Sequence, residues 1–201
     1  MKTINVLGLA DHGRQVSDEE FDDAEFEQGY LYELIEGRLC VLAMPNPPEN
    51  DLEEWLGYKL RVYSHQAPEV INKVTAKARV FVPGRPGTTA PDPDIAAYRN
   101  YPFHLPARAR SWRNVSPILV AEVLVDSDPH KDLVRNVELY LQVPTIREYW
   151  ILDGRDDPDE PTMIVRRRRG RVWLRPRKFG FGETYTTPLL PSFYLIVDPR
   201  R

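Results

Sequence analysis

The sequence has little of the features that would place the chain in a special class of protein. It contains a single cysteine, Cys40. No disulfide can therefore form within one chain, which favours a reducing compartment. Residues 1–9 lack the long apolar core of a secretory signal. No apolar run approaches the roughly 20 residues that a membrane-spanning helix needs. We therefore expect a cytoplasmic protein with no membrane partner.

The chain also lacks a strong net charge, which is only −3. A nucleic-acid surface would therefore have to be a local basic patch. With 201 residues, the chain is long enough to bury a sizeable core. Its 19 prolines cluster in several short loops, and no linker divides the sequence. We predict one domain over residues 1–201, with residues 1–16 as an N-terminal extension.

Apolar periodicity predicts an α/β fold with strands and helices mixed along the chain. A capping box at Ser17 predicts a short helix, and Glu36-Gly37 is typical of a hairpin turn. Asp128-Pro129 is typical of a helix start, with Leu133, Val137 and Leu141 as its apolar stripe. The predicted helices are 18–26, 51–66 and the one after Pro129. The predicted strands are 69–76, 77–83, 94–98, 117–126, 148–153, 162–168 and 171–178, with loops at 45–50 and 99–116.

The most informative segment is 118–125, an apolar run interrupted only by Glu122. A carboxylate inside a buried strand is costly unless it is paired, hydrogen-bonded or bound to a metal. Asp94 precedes another short apolar strand, and two carboxylates on neighbouring strand ends suit a hard cation such as Mg²⁺. The alternatives are that Glu122 is a buried acid satisfied by an arginine or tyrosine, and that Asp94 is a turn residue.

Two groups of arginines are candidates for contact with phosphate. The first lies in the 99–116 loop, close in sequence to Asp94, and comprises Arg99, Arg108, Arg110 and Arg113. The second is the basic run in the predicted hairpin 162–178. We interpret that run as a solvated hairpin paired with the acidic loop 156–160, with DNA contact as the alternative.

Six segments in order resemble the bacterial Uma-two family, which is described as restriction endonucleases: SDEEF, YELIEGRL, PDPDIAAY, ILVAEVL, DLVRNVELY and REYWILD. The resemblance covers about residues 15–198. It implies a restriction-endonuclease-like fold of the PD-(D/E)XK type, in which helices flank a mixed central sheet, here with added β-hairpins. It also implies Mg²⁺- or Mn²⁺-dependent hydrolysis of DNA, with Asp94 and Glu122 as metal ligands and Glu33 beside them. DNA is then the expected partner, and a homodimer is left open.

The chain departs from the family pattern at the catalytic lysine. That lysine stands two residues after the glutamate, where this chain has Leu124, or on the following helix, at the position of Asn136. An amide cannot supply the positive charge that a phosphoryl transition state needs. Lys131 is the nearest substitute, and we assign it a catalytic role with Asp94, Glu122 and Glu33. The missing lysine also favours an alternative, a weakened nuclease-like domain that binds nucleic acid or a protein partner.

Overall fold

The computed structural model describes residues 5–126 and 128–201. The helices in these ranges are α1 Asp18–Asp23, α2 Pro47–Gln66 and α3 Asn136–Leu141, with a π-helical turn at Lys131–Arg135 directly before α3. Short 3₁₀ turns lie at Leu9–Asp11, Ala107–Ala109 and Trp112–Asn114. The strands are β1 Val6–Leu7, β2 Glu25–Phe26, β3 Tyr30–Ile35, β4 Arg38–Ala43, β5 Lys73–Thr75, β6 Ile95–Tyr98, β7 Leu119–Leu124, β8 Glu148–Asp153, β9 Thr162–Arg169, β10 Val172–Trp173, β11 Arg177–Phe179, β12 Thr184–Thr186 and β13 Tyr194–Ile196.

A central sheet of seven strands organises the chain. Its order is β10-β9-β8-β7-β6-β5, and β11 also pairs with β9. Strands β7 and β8 are parallel, whereas the other pairs are antiparallel. The predicted mixed α/β fold is therefore confirmed. None of the helices in the described part of the chain is long and apolar enough to cross a membrane.

Both faces of the sheet are covered, which explains why β7 is an almost continuous apolar run. One face packs against α2 through residues such as Leu52, Leu56 and Leu60. The other face packs against α3 through Leu139 and Tyr140. A strand that is buried on both faces needs apolar residues at nearly every position. The carboxylate of Glu122 is therefore the exceptional group in this layer.

The β3–β4 hairpin forms as its turn residues predict, because Glu36 and Gly37 both have positive φ angles, 52° and 73°. Several predicted boundaries were wrong. Helix α2 begins at Pro47 instead of residue 51, since the Asn46 side chain accepts a hydrogen bond from the Glu49 N–H (3.0 Å) and proline fits the first turn. Helix α1 ends at Asp23, three residues earlier than predicted.

The predicted strands at 69–76 and 77–83 were only partly right. Only Lys73–Thr75 forms a strand in this region. Residues 78–82 make isolated contacts, in which the Val80 and Val82 N–H groups donate to the carbonyls of Pro91 and Thr89. These contacts still hold the segment in place beside the central sheet.

The helix after β7 buries a different face from the one that its apolar residues predicted. In the π-helical turn the Asn136 N–H donates to the Lys131 carbonyl, five residues back. This register points Asp132, Asn136 and Tyr140 into the protein, where all three are buried. The predicted stripe of Leu133, Val137 and Leu141 is only half-buried. Polar side chains of this helix therefore lie next to Glu122, while Leu133 and Val137 of the predicted stripe pack, partly buried, against the same core.

Candidate active site

Asp94 and Glu122 lie on the same face of the central sheet. In the antiparallel ladder Ile95 pairs with Ala121 and Ala96 pairs with Val120. Asp94 is therefore the next residue outward and lies opposite Glu122 on strand β7. Side chains directly opposite each other in such a ladder have Cβ atoms about 4.5–5.5 Å apart. Asp94 is also fixed by the backbone, because its Oδ2 accepts a hydrogen bond from the Val123 N–H at 2.7 Å.

Glu122 is fully buried and is held on both carboxylate oxygens. Its Oε1 accepts hydrogen bonds from the Tyr140 hydroxyl (2.7 Å) and from Asn136 Nδ2 (2.8 Å). Its Oε2 lies 3.4 Å from the ammonium of Lys131. A buried acid was expected to have an arginine or tyrosine partner, and Glu122 has Tyr140. Lys131 is an additional partner. Asn136, which occupies the position of the family's lysine, thus orients the carboxylate without adding charge.

Lys131 lies between several carboxylates. Its ammonium is 3.3 Å from Asp132 Oδ1 and 3.4 Å from Glu122 Oε2, and only 14% of its side chain is exposed. Burial alone would lower the pKa of Lys131, but the carboxylates of Glu122, Asp132 and Asp94 raise it well above its usual value. The carboxylates therefore favour the charged form of Lys131 in this site.

If all three acids around Lys131 were ionised, they would carry more negative charge than one lysine can offset, so their neutral forms are favoured. Burial raises the pKa of Asp94 to about 7 and those of Glu122 and Asp132 to about 8. Repulsion between neighbouring carboxylates adds to the effect of burial, whereas Lys131 opposes it. In addition, Asp132 Oδ2 is buried without a hydrogen-bond partner among the described residues. Such a cluster favours additional positive charge.

Glu33 belongs to the same network and is buried, although a solvent-facing position on its hairpin was equally consistent with the sequence. Its Oε2 accepts from Arg135 Nη2 at 2.6 Å, and its Oε1 accepts from the Asp92 N–H at 3.1 Å. Arg135 Nε also donates to Asn136 Oδ1 at 3.1 Å. This bond turns the amide so that its NH₂ group faces Glu122. The pair of Glu33 and Arg135 therefore supports the site from the hairpin side.

A cleft of about 550 Å³ opens over this network. Seven charged residues line it, three cationic and four acidic: Lys77, Lys131, Arg135, Glu49, Asp94, Asp126 and Asp128. The opposite wall is the β3–β4 hairpin and the segment after it, where Leu31, Cys40, Leu42 and Met44 are largely apolar. The volume lies in the range of pockets that bind small molecules or single residues of a polymer.

The carboxylates in and beside this cleft suit a hard divalent cation. Among the described residues no group of three or more His, Cys, Asp or Glu side chains is arranged to hold a metal ion. Mg²⁺, however, keeps several waters and is commonly held by only one or two protein carboxylates. Asp94 and Glu122 are two such carboxylates at opposite positions of adjacent strands; Asp94 lines the cleft, whereas Glu122 is fully buried and is not among the lining residues.

Sequence reasoning missed two members of the network, Arg135 and Asp132. Arg135 meets Glu33 across 102 positions of sequence, so no local spacing could reveal the contact. Asp132 shares a helix face with Asn136 and Tyr140, and that four-residue spacing was the available signal.

None of the four arginines assigned to phosphate contact lines the cleft that contains Asp94. Arg113 donates to Asp18 and Asp22, each at 3.0 Å, and Arg110 donates to the carbonyls of Leu105 and Phe103. The guanidinium of Arg99 donates to the Val70 carbonyl, whereas Arg108 is exposed. Their contact with nucleic acid stays a prediction.

The basic run in β9 has structural partners, and its predicted pairing with the acidic loop 156–160 was wrong for its two central arginines. Arg167 Nε lies 3.1 Å from Glu148 Oε1. The Arg168 guanidinium donates to the carbonyls of Tyr140, Leu141 and Val143 at the end of α3, and to Ile146. Arg168 therefore caps the helix that carries the candidate site, since a cation favours the carbonyl end of a helix.

The mixed sheet with helices on both faces places the chain in the restriction-endonuclease-like class of α/β folds. A family model described as "Putative restriction endonuclease", Uma2, matches residues 18–198. The chain belongs to the Uma2 family, which confirms the resemblance seen in the sequence.

A solved structure from Anabaena variabilis, described as a putative nuclease of the family DUF820, is similar to this chain with a TM-score of 0.67 and 16% sequence identity. The match covers 90% of this chain and 95% of that one. At this identity the similarity shows the fold alone. A search of curated proteins finds no match.

Proposed function

We propose that the chain is a Mg²⁺- or Mn²⁺-dependent endonuclease that hydrolyses phosphodiester bonds of DNA. One observation carries the proposal: Asp94 and Glu122 occupy opposite positions on adjacent strands, and the Lys131 ammonium lies 3.4 Å from Glu122. Two carboxylates and a cation are the groups that this hydrolysis requires. Membership of the Uma2 family supports the same reaction class.

Each residue has a separate task in this proposal. Asp94 and Glu122 would hold the cation, and a bound divalent cation polarises phosphate and lowers the pKa of water. Asn136 and Tyr140 fix the orientation of Glu122 through hydrogen bonds of 2.8 and 2.7 Å. Lys131 stabilises the negative charge that develops on the phosphate. Glu33 acts indirectly, because it holds Arg135, which in turn orients Asn136.

Plasmid cleavage tests this proposal directly. Wild-type protein should nick or linearise supercoiled DNA with Mn²⁺ or Mg²⁺ and should lose this activity in EDTA. Asp94→Asn, purified in the same way, controls for contaminating nucleases and should be inactive. Equal cleavage by wild type and Asp94→Asn would rule out this site as the source of the activity.

A second candidate function is favoured by the position of Lys131 itself. Its ammonium already lies against Glu122 and Asp132, at 3.4 and 3.3 Å, and supplies positive charge where a metal would otherwise do so. With Leu124 and Asn136 at the usual lysine positions, such a site suits a weakened nuclease that binds nucleic acid or a protein partner. In that case the wild type would bind DNA without cleaving it in Mn²⁺.

A further inference from the structure

Lys77 is the most unusual residue in the cleft outside the acidic network. It has a φ angle of +53°, in the left-handed region that residues other than glycine rarely adopt. Non-glycine residues in this conformation are costly and concentrate at functional sites. The sequence gives no reason for the turn to need a lysine here, since glycine or asparagine would adopt the same angle more readily.

The ammonium of Lys77 is buried although its stem is not. About a third of the side chain, 34%, is exposed, yet Nζ is buried without a hydrogen-bond partner among the described residues. Lysine usually does the opposite, with a covered stem and a solvated ammonium. An ammonium carries three donors, and leaving them unused in a buried position is unfavourable. This arrangement suggests a cation that lacks a close hydrogen-bond acceptor in the free protein.

Glu53 is the nearest acid to this ammonium and holds it only loosely. Glu53 lies on α2 and is 7% exposed, and its Oε2 is 3.7 Å from Lys77 Nζ. That distance is longer than the roughly 2.7–3.2 Å of an N–H···O hydrogen bond. The pair is therefore an electrostatic contact that a stronger acceptor can replace.

The position of Lys77 points to the identity of that acceptor. Lys77 lines the cleft with Asp94, Lys131 and Arg135. It follows β5, which pairs with the strand that carries Asp94 at its end. A polyanion placed over Asp94 and Lys131 would therefore come within reach of the flexible four-carbon stem of Lys77.

We propose that Lys77 binds a phosphate of the DNA backbone beside the reacting one, and that Glu53 holds its ammonium in the free protein. This inference rests on the proposed nuclease function and adds a substrate-binding residue to it. On DNA binding the ammonium moves from Glu53 to a phosphate oxygen, which offers it the short charge-assisted hydrogen bonds that Glu53 does not provide. The alternative is a purely structural lysine that only offsets the charge of Glu53.

Salt-dependent DNA binding in EDTA distinguishes the two roles without depending on cleavage. Fluorescence anisotropy of a labelled duplex over a range of NaCl concentrations gives the slope of log affinity against log salt. Each lost phosphate contact flattens this slope by about 0.9, which corresponds to roughly an eightfold weaker affinity at 0.1 M salt. Lys77→Met should show that change, whereas Lys77→Arg should keep the wild-type slope. Lys59→Met, on α2 and outside the cleft, is the matched control.

Two further variants separate charge from folding. Lys77→Gly should lose the same phosphate contact and flatten the slope as Lys77→Met does, and glycine adopts the positive φ without strain. Glu53→Gln should keep the slope and bind DNA several-fold more tightly, because the competing carboxylate is gone. A purely structural lysine would instead give unchanged slopes in Lys77→Met and Lys77→Gly.

The outcomes separate this inference from the proposed function. If wild type binds DNA and Lys77→Met has the same slope as wild type, the assignment of Lys77 is wrong and the nuclease proposal stands. Looser binding by Glu53→Gln would also overturn the role given to Glu53. If wild type binds no DNA at any salt concentration, the nuclease proposal and this inference fail together.

Discussion

Replacing Lys131 by alanine separates the chemical step from metal binding. Lys131 is the cation nearest to Glu122, at 3.4 Å, and it is mostly buried. Losing one preorganised charge contact in an active site lowers the rate by about 10²–10³-fold, or roughly 2.7–4 kcal/mol of transition-state stabilisation. Lys131→Ala should therefore cleave plasmid DNA at least a hundredfold more slowly than wild type.

The same substitution should not weaken metal binding. The Lys131 ammonium competes with a metal for Glu122 and Asp132, so its removal leaves the acids free to attract a divalent cation. Titration calorimetry with Mn²⁺ should give an affinity for Lys131→Ala equal to or higher than that of wild type. Lower activity with undiminished metal affinity is the signature of a group that acts on the substrate.

A compensating lysine makes the test sharper. Asn136 Nδ2 lies 2.8 Å from Glu122 Oε1, so a lysine at this position would also place a cation beside Glu122. The double variant Lys131→Ala with Asn136→Lys should regain part of the lost activity, and Lys178→Ala, on exposed β11, should match wild type. Wild-type cleavage rates in Lys131→Ala would show that the electrostatic partner has been misassigned. An inactive wild type that gains activity with Asn136→Lys alone would support the second candidate function, a weakened nuclease that binds nucleic acid or a protein partner.

Three further predictions concern the metal, pH and stability. Glu122→Gln should weaken Mn²⁺ binding in calorimetry, because it keeps the shape and removes a charge; an unchanged affinity would exclude Glu122 as a ligand. Folding raises the pKa values of Asp94, Glu122 and Asp132 to about 7, 8 and 8. The folded protein in EDTA then binds more protons than the unfolded chain between about pH 4 and 8, so its free energy of unfolding should fall as pH rises through this window. Melting temperatures that stay constant across this window would contradict that linkage. Arg168→Ala should lower the free energy of unfolding by about 2 kcal/mol, because carbonyls at the end of α3 lose a charged donor, whereas exposed Arg169→Ala should change it by less than about 0.5 kcal/mol.

The parts of the site that depend on strand patterning were predictable from the sequence. An acid in an otherwise apolar run identifies Glu122, since burial makes such a residue expensive unless it has partners. Asp94 follows from its place before the neighbouring apolar strand. Their opposition across the ladder needed the register, which depends on how β6 and β7 pair and is not encoded in either segment alone.

The contribution of the helix was harder to predict because its register departs from α-helical spacing. With 3.6 residues per turn, Lys131 and Asn136 would lie on different faces of a regular helix. The π-helical turn adds a residue to this turn and brings Lys131 and Asn136 to the same carboxylate. Such turns are rare and often lie at functional sites. The sequence therefore indicated Lys131 as the nearest substitute without showing how it reaches Glu122.

The unusual backbone at Lys77 and the contact of Glu33 with Arg135 had no usable sequence signal. The positive φ angle of a single residue is set by the packing of its neighbours. A lysine in the sequence does not predict such an angle. Glu33 and Arg135 lie on a hairpin and a helix whose mutual position depends on the whole fold. Tertiary packing, and not local propensity, decides both features.

The central claim is that Asp94 and Glu122 form one metal site, and a crystal soaked in Mn²⁺ tests it most directly. Anomalous diffraction locates the ion independently of any assumption about the ligands. If both acids are ligands, one strong anomalous peak should lie within about 2.0–2.6 Å of carboxylate oxygens from Asp94 and Glu122. Glu122→Gln should show no such peak. A peak held by other residues, or no peak in the cleft at saturating Mn²⁺, would contradict the account.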